Sequence, residues 1–271
     1  MAWLLLPLLL AGWFSFRYAW WRPGVDERHP RILMYHMVSP HRPGARFNGL
    51  RVTPQRFEQQ LRWLQSRGWT SYTVSELVEL GQSLPPKAVA ITFDDGFADN
   101  CLEALPLLQR YRTKATLYLV ADRHDRDWSV NKKAHHDSGE LRTEPKLSDA
   151  QVEQMLASGL IELGSHTVTH PNFLRLHQVE RQLELQTSKA DLEQRFGVPV
   201  TSFAYPFGLF HPEDPELVRA AGYSNAVTTE AGIETALGSR PFTLRRFKIS
   251  GKDNLLAFSM RMRGGRRGWN K

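Results

Sequence analysis

Ala88-Val-Ala-Ile-Thr-Phe-Asp-Asp-Gly96 runs from an unbroken apolar stretch into two adjacent carboxylates and a glycine. A short continuous apolar run of this kind reads as a strand covered on both faces, as in a parallel sheet. Two neighbouring carboxylates at its mouth repel each other and lose hydration. A cation must stand beside them, or one of them must hold a proton. Further along, Ser165-His-Thr-Val-Thr-His170 follows a second apolar segment, Leu160-Ile-Glu-Leu163. One aspartate and two histidines are a common ligand set for a catalytic zinc, with one position left for water. The other aspartate is then free to act as a base.

Outward from this strand the pattern alternates. Arg31-Ile-Leu-Met-Tyr35 is a short apolar run ending at His36. Thr53-Pro54 opens a helix that Gly68 ends, and Thr73-Val-Ser-Glu76 has the form of a capping box. A helix is expected near 99–111, a strand over 115–120, a helix after Ser148-Asp-Ala-Gln151 and a strand near 160–164. Then follow a helix over 178–196 ended by Gly197, a strand over 199–205, a helix from 214 to Gly222, and strands near 224–228 and 243–249. Residues 121–147 break the alternation and read as a polar surface excursion or active-site flap. Repeated strand–helix units predict a parallel α/β sheet, and the chemical residues cluster after its strands. A barrel brings such strand ends to one face.

The composition, 41% hydrophobic and 23% charged over 271 residues, suits a globular chain with a sizeable core. The net charge of +7 concentrates near the ends, at Arg17, Arg22, Arg28 and Arg31, then Arg261, Arg263, Arg266, Arg267 and Lys271. Such clusters read as solvated tails or membrane-flanking charge, and no nucleic-acid motif accompanies them. The single cysteine, Cys101, excludes an intramolecular disulfide and reads as a small core residue.

Residues 1–16 hold no charged side chain. Extended through Trp20 and Trp21 past a snorkelling Arg17, they read as a single-pass or interfacial anchor in the inner (cytoplasmic) membrane. The arginines behind the apolar run place the domain on the cytoplasmic side. His41, His124, His135, His136, His177 and His211 lie in polar or turn contexts, where surface roles are expected.

Thr92-Phe-Asp-Asp-Gly96, Ser165-His-x₃-His170 and Phe203-Ala-Tyr-Pro-Phe-Gly208, in that order, resemble the motifs of the polysaccharide deacetylases, carbohydrate esterase family four. The resemblance covers residues 31–250 and includes Leu33-Met-Tyr-His36 and Leu244-Arg-Arg-Phe-Lys-Ile249. With the readings above, the chain divides into a membrane anchor or uncleaved signal-like segment (1–21), a linker (22–30), a polysaccharide deacetylase-like catalytic domain (31–250) and a basic tail (251–271). The resemblance implies a distorted (β/α) barrel. The implied activity is metal-dependent removal of N-acetyl groups from hexosamines of a bacterial-type surface glycan or its lipid-linked precursor. Zinc is the implied metal, with cobalt or nickel as alternatives.

By this resemblance Asp94 is the general base, and Asp95 binds the metal with His166 and His170. The Phe207 amide serves the oxyanion site, with Tyr205 and Arg246 as further substrate-side candidates. Many members carry their acid histidine late, but none follows His211 here. The chain looks closer to the poly-N-acetylglucosamine deacetylases, whose early Tyr-His histidine corresponds to His36. Many members also pair the base with an arginine at the position of Ala204. Its absence leaves Arg246 or Arg245 to supply the cation. A non-catalytic glycan-binding protein and an O-acetyl esterase are the alternative functions.

Overall fold

The structure is a computed structural model and describes residues 2–132 and 138–265. Its strands are β1 (Arg31–Tyr35), β2 (Met37–Val38), β3 (Arg51–Val52), β4 (Thr70–Ser71) and β5 (Ala88–Asp95). They continue as β6 (Ala115–Leu119), β7 (Ile161–Ser165), β8 (Ser202–Ala204), β9 (Asn225–Val227) and β10 (Phe247–Lys248). All but β2 and β3 join one sheet in the order β10-β1-β5-β6-β7-β8-β9, with β4 beside the start of β5. Every pairing in it is parallel.

The two ends of this order are linked by one segment. Leu244 bridges Val227 of β9, and three residues later Phe247 pairs with Leu33 of β1. The sheet is therefore curled, and residues 244–248 span the gap that a flat sheet would leave open. The expected barrel takes this curled form, without a regular ladder between β9 and β10.

The helices are α1 (Ala2–Tyr18), α2 (Pro54–Ser66), α3 (Val74–Leu80), α4 (Leu105–Arg110) and α5 (Ser129–Lys132). After them come α6 (Glu140–Thr143), α7 (Asp149–Ala157), α8 (Gln178–Phe196), α9 (Asp214–Ala220) and α10 (Leu255–Gly264). The expected caps form. Thr53 Oγ1 accepts from the Arg56 amide, Thr73 and Ser148 build reciprocal capping boxes, and Gly197 ends α8 at φ 65°. The helix expected over 99–111 instead opens as a wide π turn (Asn100–Ala104) before α4. Strands β8 and β10 are shorter than expected, chiefly at their N-terminal ends.

The described part of residues 121–147 packs over the sheet and lines a cavity with Trp128 and Leu141, so it is no loose excursion. Trp128 and Leu141 are buried with Met37, Phe97 and Val120, which packs this segment over the sheet. The fully buried Arg51 of β3 holds it through Glu144 (2.7 Å) and Glu140 (3.0 Å). His135 and His136 lie outside the described residues.

The chain ends also differ from expectation. Helix α1 has 17 residues with Pro7 inside it, and Ala19, at φ 44°, turns the chain away. At about 1.5 Å per residue it falls short of a bilayer core of about 30 Å. No helix among the described residues is long and apolar enough to cross a membrane. The single-pass span is thus not supported. The segment 251–265 is not a tail, because α10 buries Ala257, Phe258 and Met262 against the domain. Nor is Arg31 a solvated flanking charge. Its buried guanidinium donates to the carbonyls of Met262 (2.8 Å), Val25 (2.7 Å), Asp26 (2.9 Å) and His29. Burial pushes its pKa down only to about 10, so the group stays charged at neutral pH.

Arg31 therefore joins β1, the 22–30 segment and α10. Replacing it with methionine strands several buried carbonyls, each worth roughly 1–3 kcal/mol. The Arg31→Met protein is expected to lose about 3 kcal/mol in urea unfolding; a loss below about 1 kcal/mol would refute this role.

Candidate active site

Asp94 and Asp95 are the last two residues of β5, and successive strand residues point to opposite sides. The chain then bends at Asp95, whose φ is 79°. Gly96 follows at φ 79°, and a Cβ there would collide with the Leu119 side chain. The turn that presents the two carboxylates thus requires its glycine.

Asp94 is buried and receives a two-pronged bond from Arg246, Nη1 to Oδ1 at 2.7 Å and Nη2 to Oδ2 at 2.8 Å. Arg246 is itself fully buried and also bonds Thr92 Oγ1 (2.9 Å) and the Thr228 carbonyl (2.9 Å). Burial alone would raise the Asp94 carboxyl; the Arg246 charge, aided by His166 and His36, overrides it and holds the group below the usual carboxylate range. Arg245 points elsewhere and pairs with Glu230 at 2.6 Å. Of the two candidate cations, the geometry selects Arg246.

Asp95 faces two imidazoles. Its Oδ1 lies 3.5 Å from His166 Nε2 and 3.4 Å from His170 Nε2, and the two Nε2 atoms are 3.1 Å apart. His166 Nδ1 lies 2.7 Å from the Ala204 carbonyl, which can only accept, so that nitrogen carries the proton and Nε2 presents a lone pair. A carboxylate oxygen and two ring nitrogens converging within 4.8 Å form a donor set suited to a divalent cation. The three residues fit the implied metal.

The loop carrying the histidines is held in a costly shape. Thr167 and His170 have φ of 71° and 56°. Glu184 of α8 supports them by accepting from the amides of Val168 (2.7 Å) and Thr169 (3.1 Å) and from Thr169 Oγ1 (2.6 Å). The hydroxyls of Ser165, Thr167 and Thr169 do not orient the imidazoles. They bond Ser188, local backbone and Glu184, and the Ala204 carbonyl orients His166.

A cavity of about 700 Å³ opens over these groups. His36, Asp94, Asp95, His166, His170 and Phe207 all line it. Among the described residues His36 Nδ1 has no hydrogen-bond partner. Burial lowers the His36 pKa to about 4, with Asp95 and Asp94 pulling upward, so the ring is neutral at pH 7. Phe207 sits at φ 59°, its ring edge-on to His170 at 4.5 Å. Tyr205 is a correction: it does not reach the cavity. Its ring is fully buried, stacked on Phe210 at 4.7 Å and packed on Phe203, because the strand's alternation turns it to the core.

Comparison with known proteins agrees with this geometry. The family model described as polysaccharide deacetylase matches residues 81–226. The chain belongs to the polysaccharide deacetylase family. A Bacillus subtilis protein, provisionally named a polysaccharide deacetylase, is 31% identical over 86% of this chain and 75% of its own length. The poly-β-1,6-N-acetyl-D-glucosamine N-deacetylase of Escherichia coli is 23% identical over 85% of this chain but only 38% of its own length. Among solved structures, a polysaccharide deacetylase from Bacillus cereus superposes with a TM-score of 0.72 at 26% identity, covering 87% of this chain and 69% of that one. The chain is accordingly a hydrolase of a family whose members depend on metal.

Four contributors to this deacetylase site were missed at the level of sequence. Trp128 is a wall of the cavity, its ring 5.1 Å from His170. A tryptophan inside an otherwise polar stretch was the available signal. Lys132 and Lys248 also line the cavity, and Glu184 braces the histidine loop from a helix that carries no motif. Removing the Glu184 carboxylate leaves two loop amides without acceptors. Glu184→Ala is expected to lose about 2 kcal/mol of stability. It should also weaken zinc binding about tenfold in a competition titration with a chromophoric chelator. Unchanged zinc affinity would limit Glu184 to a structural role.

Proposed function

We propose that this deacetylase hydrolyses the acetamide of N-acetylhexosamine units in a bacterial surface glycan or its lipid-linked precursor, releasing acetate. One observation carries the reading. An ionised Asp94, neutralised by Arg246, stands beside the convergent Asp95, His166 and His170 on the wall of a cavity large enough for a sugar.

Asp95, His166 and His170 would hold a divalent metal, which when bound would supply Lewis-acid polarisation of the acetyl carbonyl, and this donor set suits zinc, with cobalt or nickel as substitutes. Asp94 takes the proton of the attacking water. Because Arg246 holds its pKa low, Asp94 gives that proton up again readily. His36, neutral at pH 7, is free to accept a proton and deliver it to the departing nitrogen. Phe207 lines the cavity with its ring against His170, and its backbone amide is assigned the developing oxyanion. The Asp94–Arg246 pair also weighs against a non-catalytic reading, since the residue before β10 supplies the cation missing at Ala204.

Acetate release from an N-acetylglucosamine oligosaccharide tests the proposal. Chelation should abolish it and zinc should restore it. Asp94→Asn should lower turnover about a hundredfold or more with the fold intact by circular dichroism. Turnover of Asp94→Asn within a few-fold of the unaltered protein would sink the assignment of the base.

We further propose that α1 lies in a membrane interface. Leu6, Leu9, Trp13, Phe16, Trp20 and Trp21 are exposed around it, and Arg17 and Arg22 flank its end. Co-sedimentation with anionic phospholipid vesicles should be lost in Leu9→Asp/Trp13→Asp, and equal binding by that variant would overturn the idea.

A further inference from the structure

Lys248 and Lys132 have no task in the chemistry above, yet both line the catalytic cavity. Lys248 comes from β10, where it pairs in register with Met34 of β1, two residues before His36. It is half-buried, and among the described residues no carboxylate is paired with its ammonium. Lys132 comes from α5 and lies with its Nζ 5.7 Å from the centre of the Phe207 ring. It too has no carboxylate partner among the described residues. The two lysines are close enough that the charge of Lys132 helps lower the Lys248 pKa, which burial chiefly brings to about 8. The Lys248 ammonium is therefore largely protonated at pH 7.

Among the described residues no carboxylate of the same cavity forms an ion pair with either ammonium, although the charge of Asp95 acts on Lys248. Asp94 is matched by Arg246, and Asp95 is directed at the two imidazoles. Holding the half-buried Lys248 charge beside the exposed Lys132 costs free energy unless a ligand brings the opposite charge. A neutral sugar does not bring it. A neighbouring sugar that has already lost its acetyl group carries an ammonium and would be repelled.

We propose that Lys132 and Lys248 form an anion clamp in the catalytic cavity, and that the N-acetylhexosamine taken there bears, or adjoins, a carboxylate or phosphate. This rests on the deacetylase reading and names its substrate class. The lysines are specificity-determining groups for the anion and take no part in bond cleavage.

The test uses the zinc-loaded protein and three N-acetylglucosamine tetrasaccharides. One is neutral, one carries a carboxylate-bearing ether on alternate rings, and one carries a phosphate at its reducing end. At least one anionic substrate is expected to show kcat/KM about tenfold above the neutral one, chiefly through KM. Which anion is preferred tells the carboxylate from the phosphate source. In Lys132→Gln/Lys248→Gln the anionic-to-neutral ratio should fall to about one, while Lys248→Arg should keep it. Equal kcat/KM for neutral and anionic substrates in the unaltered protein, or a ratio untouched by the double substitution, would overturn the clamp and leave deacetylation standing. Calorimetric binding of N-acetylglucosamine 1-phosphate against N-acetylglucosamine gives a readout free of turnover. Tighter phosphate binding that the double variant loses supports the clamp even if no substrate releases acetate, a result that would sink only the deacetylase reading. Equal binding of both sugars would sink the clamp.

Discussion

The bidentate pair of Asp94 and Arg246 is the constraint on which the structure turns. Both partners are almost completely removed from water. Neither could be there alone, because an unpaired buried charge costs several kcal/mol. Arg246 sits between Leu244, bonded to β9, and Phe247, bonded to β1. Its guanidinium reaches across to β5 and also takes the Thr228 carbonyl and Thr92 hydroxyl. One side chain thus satisfies the charge of the base, occupies four acceptors and draws the two ends of the curled sheet together. The ionisation of Asp94 and the curvature of the sheet are linked through it. A substitution that relaxed one would relax the other.

A second constraint is the backbone. Of the eight non-glycine residues with positive φ among the described residues, four are Asp95, Thr167, His170 and Phe207. All four belong to the turns that build the cavity wall, where such conformations cost about 1–3 kcal/mol each. The surrounding contacts hold them there. Gly96 leaves room for the Asp95 turn, Glu184 ties down the histidine loop, and Thr229 Oγ1 donates to the Phe207 carbonyl at 3.0 Å. The strain explains how ligands separated so widely in the chain meet within 4.8 Å. The strands deliver each segment to one end of the sheet, and the turns then rotate the last side chains inward.

Much of this was legible in the sequence because it depends on local rules. The unbroken apolar run before Asp94, the caps at Thr53, Thr73 and Ser148, and the stop at Gly197 are short-range statements, and each appears where it was read. The convergence of Asp95, His166 and His170 followed from chemistry once parallel strands were assumed. What stayed hidden depends on packing. Tyr205 and Phe207 are two residues apart in one motif, yet one faces the core and the other the cavity. Arg31 and Arg261 looked like surface charge, but each is buried on a partner that only the fold supplies, carbonyl oxygens for one and Asp253 for the other. The 121–147 segment read as polar because its charges outnumber its apolar residues. Two buried side chains, Trp128 and Leu141, were enough to fold it over the sheet.

Ala204 shows why a site is better read by geometry than by position. Family resemblance expects a cation at that point of the chain, and a methyl group stands there. The electrostatic requirement belongs to Asp94, however, and not to any place in the sequence. A curled parallel sheet brings the ends of distant strands together, so the cation can come from whichever strand end reaches the carboxylate. Residue 204 meanwhile serves through its backbone, since its carbonyl sets the tautomer of His166. An arginine at 204 could offer the same carbonyl, but its side chain would compete with Arg246 for one buried carboxylate. Two guanidiniums facing one carboxylate would leave a buried positive charge unmatched. The alanine at 204 thus leaves the buried carboxylate to Arg246 alone, so that one guanidinium matches one charge.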